Sequence, residues 1–179
     1  MFTLILGPMK SGKSNELLAR TKRYEHADKQ VLYVQAEAHT RDKDIQSRLG
    51  TKAVAQAIKS LREVDEPFDV IGIDEVHMFP QDDATVIESW LAQGKNVVAS
   101  GLDLDSRGKF MPIITRLLEL KPERHISMLA ICDSCKEDIA AFTQILDEDG
   151  PVLSGLPPVV PEDGTYSYEA RCRGCFIKE

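Results

Sequence analysis

Aromatic side chains are scarce in this chain of 179 residues: they fill 6% of positions, with a single tryptophan. Basic residues are also outnumbered, 22 Lys and Arg against 29 Asp and Glu, for a net charge of -7. Proteins whose main partner is DNA or RNA carry a basic face and stacking aromatics, so no nucleic-acid polymer is expected here. Long apolar runs are missing, which excludes a membrane-spanning helix and leaves no membrane partner to expect. Met1 leads directly into an apolar stretch, with no charged leader or cleavage site, so the expected location is cytoplasmic. Cysteine is limited to four residues, and in a reducing compartment that count points to a metal rather than to disulfides. The remaining composition, 42% hydrophobic, suits one compact α/β domain with a true core and a small appendage.

Apolar runs alternate with helical patterns. Phe2–Leu6, Gln30–Gln35, Asp69–Asp74, Asn96–Ser100 and Ile126–Ile131 read as strands. Lys13–Ala27, Asp83–Gln93 and Pro112–Leu120 read as helices, and Ala53–Val64 as a short one. His39–Gly50 and Leu102–Lys109 are polar and read as loops. Such alternation implies an α/β fold with a mostly parallel sheet covered on both faces. The style changes near Cys132, where prolines, glycines and paired cysteines take over. The boundary is expected there, dividing residues 1–131 from residues 132–179.

Gly7-Pro8-Met9-Lys10-Ser11-Gly12-Lys13-Ser14 fits G-x-x-x-x-G-K-[ST] in full, between a strand and a helix. In that context glycines let the backbone curl so that several N–H groups face one anion. The following helix adds the positive end of its dipole. Lys13 would reach the β- and γ-phosphates of ATP, and Ser14 would offer its hydroxyl to Mg²⁺. Ile71-Gly72-Ile73-Asp74 is an apolar strand ending in a carboxylate suited to the same Mg²⁺. Glu75 follows at once. It would activate water in an ATPase, or take the proton of an acceptor hydroxyl in a small-molecule kinase.

Cys132-x-x-Cys135 and Cys172-x-x-Cys175 use every cysteine of the chain. Two such knuckles can wrap one tetrahedral Zn²⁺ as thiolates, and four protein ligands leave no open position, so the metal is expected to be structural. The residues between the pairs are acidic rather than basic. The zinc would therefore clip a long loop that could close as a lid. Two other classes share these residues. One is an ATPase that moves nucleic acid, which the charge disfavours. The other is a non-catalytic relative that senses nucleotide.

Taken together the motifs resemble the zinc-containing, cytosolic type II thymidine kinase family. LILGPMKSGKS is similar to its LxxGPMFSGKS, VIGIDEVHMFP to its DEGQFF segment, and NVVASGLDLDSRGKF to the strand and GLDxDFRGxPF loop that follow. The cysteine pairs and terminal YEARCRGC resemble its zinc-clipped lasso. The resemblance implies a RecA-like P-loop domain with a small zinc-ribbon lasso domain. It implies transfer of the ATP γ-phosphate, with Mg²⁺, to the 5′-hydroxyl of thymidine, feeding dTTP synthesis. A homotetramer and feedback inhibition by dTTP are implied too. Carried over by position, Glu75 is the general base. Lys13, Ser14 and Asp74 handle phosphate and metal, and Arg41 lies near the phosphates. Met9, Met78, Leu102, Phe110, Thr143 and Tyr168 surround the nucleoside.

The chain departs from that pattern around the acceptor. His39 stands where Asp is usual, His77 for Gln, Met78 for the first aromatic of the QFF run, and Ser106 for Phe. Ile145 replaces an Arg, and Lys10 a Phe. The phosphate machinery is intact while flat walls of the base slot are gone. The expected pocket is softer and roomier, open to deoxyuridine or a 5-modified pyrimidine.

Overall fold

The computed structural model describes residues 1–39, 44–46, 52–156, 160 and 164–178. Strand β1 (Phe2–Leu6) runs into helix α1 (Lys13–Glu25), followed by β2 (Val31–Ala36), the short β3 (Ile45–Gln46) and β4 (Lys52–Ala53), and β5 (Gln56–Ile58). Then come β6 (Val70–Asp74), α2 (Ala84–Ala92), β7 (Asn96–Gly101), α3 (Pro112–Glu119) and β8 (Arg124–Ser127). The chain closes with β9 (Ala130–Ile131), β10 (Ile139–Ala140), β11 (Phe142–Asp147), β12 (Gly150–Pro151) and β13 (Ser167–Arg171).

Six strands form one sheet in the order β5-β2-β6-β7-β1-β8, each neighbouring pair parallel. Every residue of β1 and β6 is buried, as expected for central strands covered on both faces. Alternation sorts the core into two layers. Leu4, Leu6, Ile71, Ile73, Val97 and Ala99 pack under Ile87 and Trp90 of α2 and Ile113, Ile114 and Leu117 of α3. Ile5, Val98 and Tyr33 face the other way, under Leu17 and Leu18 of α1. Phe68 meets Trp90 edge to face at 5.3 Å, closing the first layer. Pro112 opens α3, where its missing N–H costs no helical bond.

Two expectations need correction. Ala53–Val64 is no helix: it holds the end of β4, strand β5 and one tight 3₁₀ turn over Leu61–Glu63. Its alanines favour a helix, but pairing of β5 with β2 at the sheet edge overrides that propensity. Asp83 pins the turn by accepting the Leu61 N–H and the Ser60 hydroxyl, each at 2.8 Å. Ile126–Ile131 is not one strand either. The parallel sheet ends at Ser127, and Ala130–Ile131 pairs antiparallel with β10. The Met128 N–H still donates to the Leu6 carbonyl at 2.7 Å, so the chain leaves the sheet beside the end of β1. Strands β12, β11 and β13 form a separate antiparallel sheet. Among the described residues, no helix is long and apolar enough to cross a membrane.

Candidate active site

The loop after β1 is shaped by its glycines. A Cβ on Gly7, at φ +156°, would lie 2.2 Å from the backbone oxygen of Met128, a contact only glycine avoids. Gly12, at φ +87°, caps α1. Lys10 also adopts a left-handed conformation, at φ +64°. Between them the chain wraps on itself: the Ser11 hydroxyl and the Lys13 ammonium both donate to the Pro8 carbonyl at 2.8 Å. Lys13 is almost fully buried. The result is a closed loop at a helix N-terminus, the arrangement that binds phosphate.

Asp74 ends β6 beside this loop and is buried. Burial and then the charge of neighbouring Glu75 raise its proton affinity above that of an ordinary carboxylate. Hydroxyls of Ser100 and Ser14, and the charge of Lys13, work the other way. Asp74 and Ser14 are therefore hard oxygen donors held against one another, a set suited to Mg²⁺. Glu75 is buried, in a left-handed conformation at φ +50°. A non-glycine residue so held at the end of a central strand marks a constrained site.

Next to the loop lies a cavity of about 310 Å³ lined by Met9, His77, Met78, Leu102, Asp105, Met111, Pro112, Ile145, Val160 and Tyr168. Its size suits a nucleoside-sized ligand and its lining is mainly apolar. Of the residues expected around the nucleoside, Met9, Met78, Leu102 and Tyr168 meet here. Thr143 does not line the cavity. It is buried behind it, where its Oγ1 accepts the Met9 N–H at 3.0 Å and ties β11 to the phosphate loop.

Phe110 is placed elsewhere. It is 57% exposed and lines a different cleft with Arg107, Phe142, Arg173 and Phe176. The wall expected from Phe110 comes from Met111. An antiparallel bridge between Leu104 and Phe110 turns those two side chains to the cleft and Asp105 and Met111 to the cavity. Asp105, Met111, Pro112 and Val160 escaped sequence reasoning. No alternation of polar and apolar residues runs through Leu104–Met111, so no local signal marked them. Arg41 lies outside the described residues. His39 stands just beyond the end of β2 and lines none of the clefts named here.

The Sγ atoms of Cys132, Cys135, Cys172 and Cys175 lie within 4.8 Å of one another, and the cysteines are free of disulfides. This donor set fits one tetrahedral Zn²⁺. Burial disfavours the Cys132 thiolate, yet the amides of Cys172, Cys135 and Ser134 outweigh it and bring that thiol down to about 6. Asp133 joins the centre to the phosphate loop: its Oδ2 takes the Lys10 ammonium and the Ala170 N–H, each at 2.7 Å.

A phosphate loop on a parallel α/β sheet, a buried Asp-Glu pair at the end of β6 and an adjoining cavity define a P-loop nucleotide-binding protein with a second small-molecule site. The family model described as thymidine kinase matches residues 1–176, and the chain belongs to that family. Among its relatives, the thymidine kinase of Mycoplasma mobile is 34% identical over 98% of this chain and 86% of its own length. The thymidine kinase of Pyrobaculum aerophilum is 31% identical over 99% and 98%. That of Mycoplasma capricolum is 35% identical over 97% and 87%.

Proposed function

We propose that this protein transfers the γ-phosphate of ATP to the 5′-hydroxyl of thymidine. The carrying observation is Met9, which belongs both to the phosphate loop and to the wall of the nucleoside-sized cavity. Donor phosphate and acceptor therefore meet at one turn of chain. Gly7 to Ser14 hold the phosphates, with Lys13 neutralising charge and Asp74 and Ser14 holding Mg²⁺. Glu75 takes the proton of the acceptor hydroxyl. Residues 1–131 act as the kinase unit and 132–179, clipped by structural zinc, as the lasso over the nucleoside. Arg41 assists near the phosphates. The location is cytoplasmic; the product feeds dTTP synthesis, dTTP inhibits by occupying the acceptor site, and the working form is a homotetramer, these last three following from family membership.

The lining favours a tolerant base preference. Met9, Met78 and Met111 line the cavity with flexible, polarizable side chains, and Met78 stands where the family pattern has an aromatic. Deoxyuridine and 5-modified pyrimidine nucleosides are accepted beside thymidine. A panel of nucleosides with labelled ATP tests both readings. Thymidine favoured far above deoxyuridine would remove the tolerance, and ATP hydrolysis without transfer to any nucleoside would remove the kinase reading. Glu75→Gln should lower kcat by about 10²–10⁴-fold while ATP binding stays within a few-fold. Unchanged turnover would exclude Glu75 as the base.

A further inference from the structure

The turn that carries Glu75 holds an arrangement that the phosphate motif and the zinc clip do not explain. Val76–Met78 forms one 3₁₀ turn directly after Glu75. It places the His77 side chain, 10% exposed, in the wall of the cavity. His77 Nδ1 accepts the backbone N–H of Leu102 at 3.2 Å. The same nitrogen lies 3.4 Å from Glu75 Oε2. An Nδ1 that accepts an N–H carries its lone pair there, so the imidazole is the neutral tautomer with its proton on Nε2. It then has no proton to give Oε2. Oε2 is itself buried and receives no hydrogen bond among the described residues.

We infer that His77 is a positioning residue for Glu75: its Nδ1 clips the base-carrying turn to Leu102 and leaves Oε2 short of one donor, which the acceptor hydroxyl supplies. A buried carboxylate oxygen without a donor is costly, so a hydroxyl arriving beside it is bound in the orientation that hands over its proton. The backbone is shaped for the clip. A Cβ on Gly101 would stand 3.1 Å from His77 Nδ1 and 3.2 Å from its backbone nitrogen, so the bare glycine lets the imidazole lie against the end of β7. Glu75 sits at φ +50°, a conformation that reverts unless neighbours hold it, and the Leu102 bond is one of those holds.

The inference rests on the proposed kinase reading, and its test separates the two. His77→Phe keeps a flat ring but removes the acceptor. His77→Asn places an amide oxygen near the position of Nδ1. The first should lower kcat on thymidine by about 10–100-fold with KM held within about threefold, since a misplaced group costs turnover rather than binding. The second should restore kcat to within about fivefold of the parent. Nitrogen NMR of the unmodified protein at neutral pH should show His77 protonated at Nε2 only. Unaffected kcat in His77→Phe, an Asn variant as slow as Phe, a raised KM as the main effect, or a proton on Nδ1 would each overturn the inference. Should His77→Phe fail to fold, the Asn variant and the NMR spectrum still decide. If the unmodified protein phosphorylates no nucleoside, the kinase reading fails, while the imidazole spectrum still reports on the clip.

Discussion

Replacing Thr143 by valine removes one oxygen from a place where its loss is readable. Thr143 Oγ1 accepts the Met9 N–H at 3.0 Å, across 134 residues of sequence, and the side chain is 4% exposed. Valine fills nearly the same volume, so no cavity follows. A buried loop N–H is left without an acceptor, at a cost of about 1–3 kcal/mol. The added methyl returns about 0.8 kcal/mol of apolar burial. The net cost is about 0.2–2 kcal/mol, or up to about 8 °C in Tm for a chain of this size. Because the bond ends on the phosphate loop, the loss should be local as well as global. Hydrogen exchange at the Met9 amide should quicken by about 5–150-fold, the ratio that a lost acceptor worth about 1–3 kcal/mol gives, since the methyl offers that N–H nothing. Thr143→Ser keeps the acceptor and should hold exchange within about twofold, though its missing methyl lowers Tm by a similar amount. Exchange unchanged in the valine variant, or equally fast in the serine variant, would refute the reasoning.

Three further outcomes follow from the structure. Chelating the zinc, or Cys172→Ser, should abolish thymidine phosphorylation while far-ultraviolet dichroism largely persists, because α1, α2 and α3 all pack on the parallel sheet; full activity with metal content at zero would contradict this. For Asp133, burial raises proton affinity, but Lys10 and the Ala170 amide prevail and hold the carboxyl below its ordinary range. A carboxyl so lowered on folding contributes stability present above the unfolded value near 3.8 and lost as pH falls through the folded one. The Tm gap between the parent and Asp133→Asn should therefore stay constant above about pH 5 and close at lower pH. Gly7→Ala should cost about 1–3 kcal/mol in denaturant melts and weaken ATP binding more than tenfold, since the new Cβ meets the Met128 carbonyl rather than a movable side chain.

Much of the framework was legible from local pattern. Apolar runs placed β1, β2, β6 and β7 nearly to the residue, because a parallel strand buried on both faces has little freedom in composition. The errors fell where pairing overrode propensity. Ala53–Val64 became an edge strand once β2 offered it hydrogen bonds, and the chain after Ser127 turned away to pair with β10. Phe110 illustrates a finer limit. Its neighbour Met111 faces the cavity because of strand parity across the bridge from Leu104 to Phe110, and a shift of one residue exchanges the two faces.

By itself the amino-acid sequence determined the phosphate loop, the Asp74-Glu75 pair and the two cysteine knuckles. Each is a run of adjacent residues whose chemistry follows from spacing along one turn or strand. Only the tertiary structure decided the nucleoside-sized cavity, whose walls come from Met9, the 77–78 turn, the 102–112 segment and residues more than 30 positions further on. It also decided that Thr143 supports the phosphate loop from behind and that His77 binds Leu102 beside Glu75. Those contacts depend on which sheet strands lie side by side and on which face each residue falls, and no local pattern carries that information.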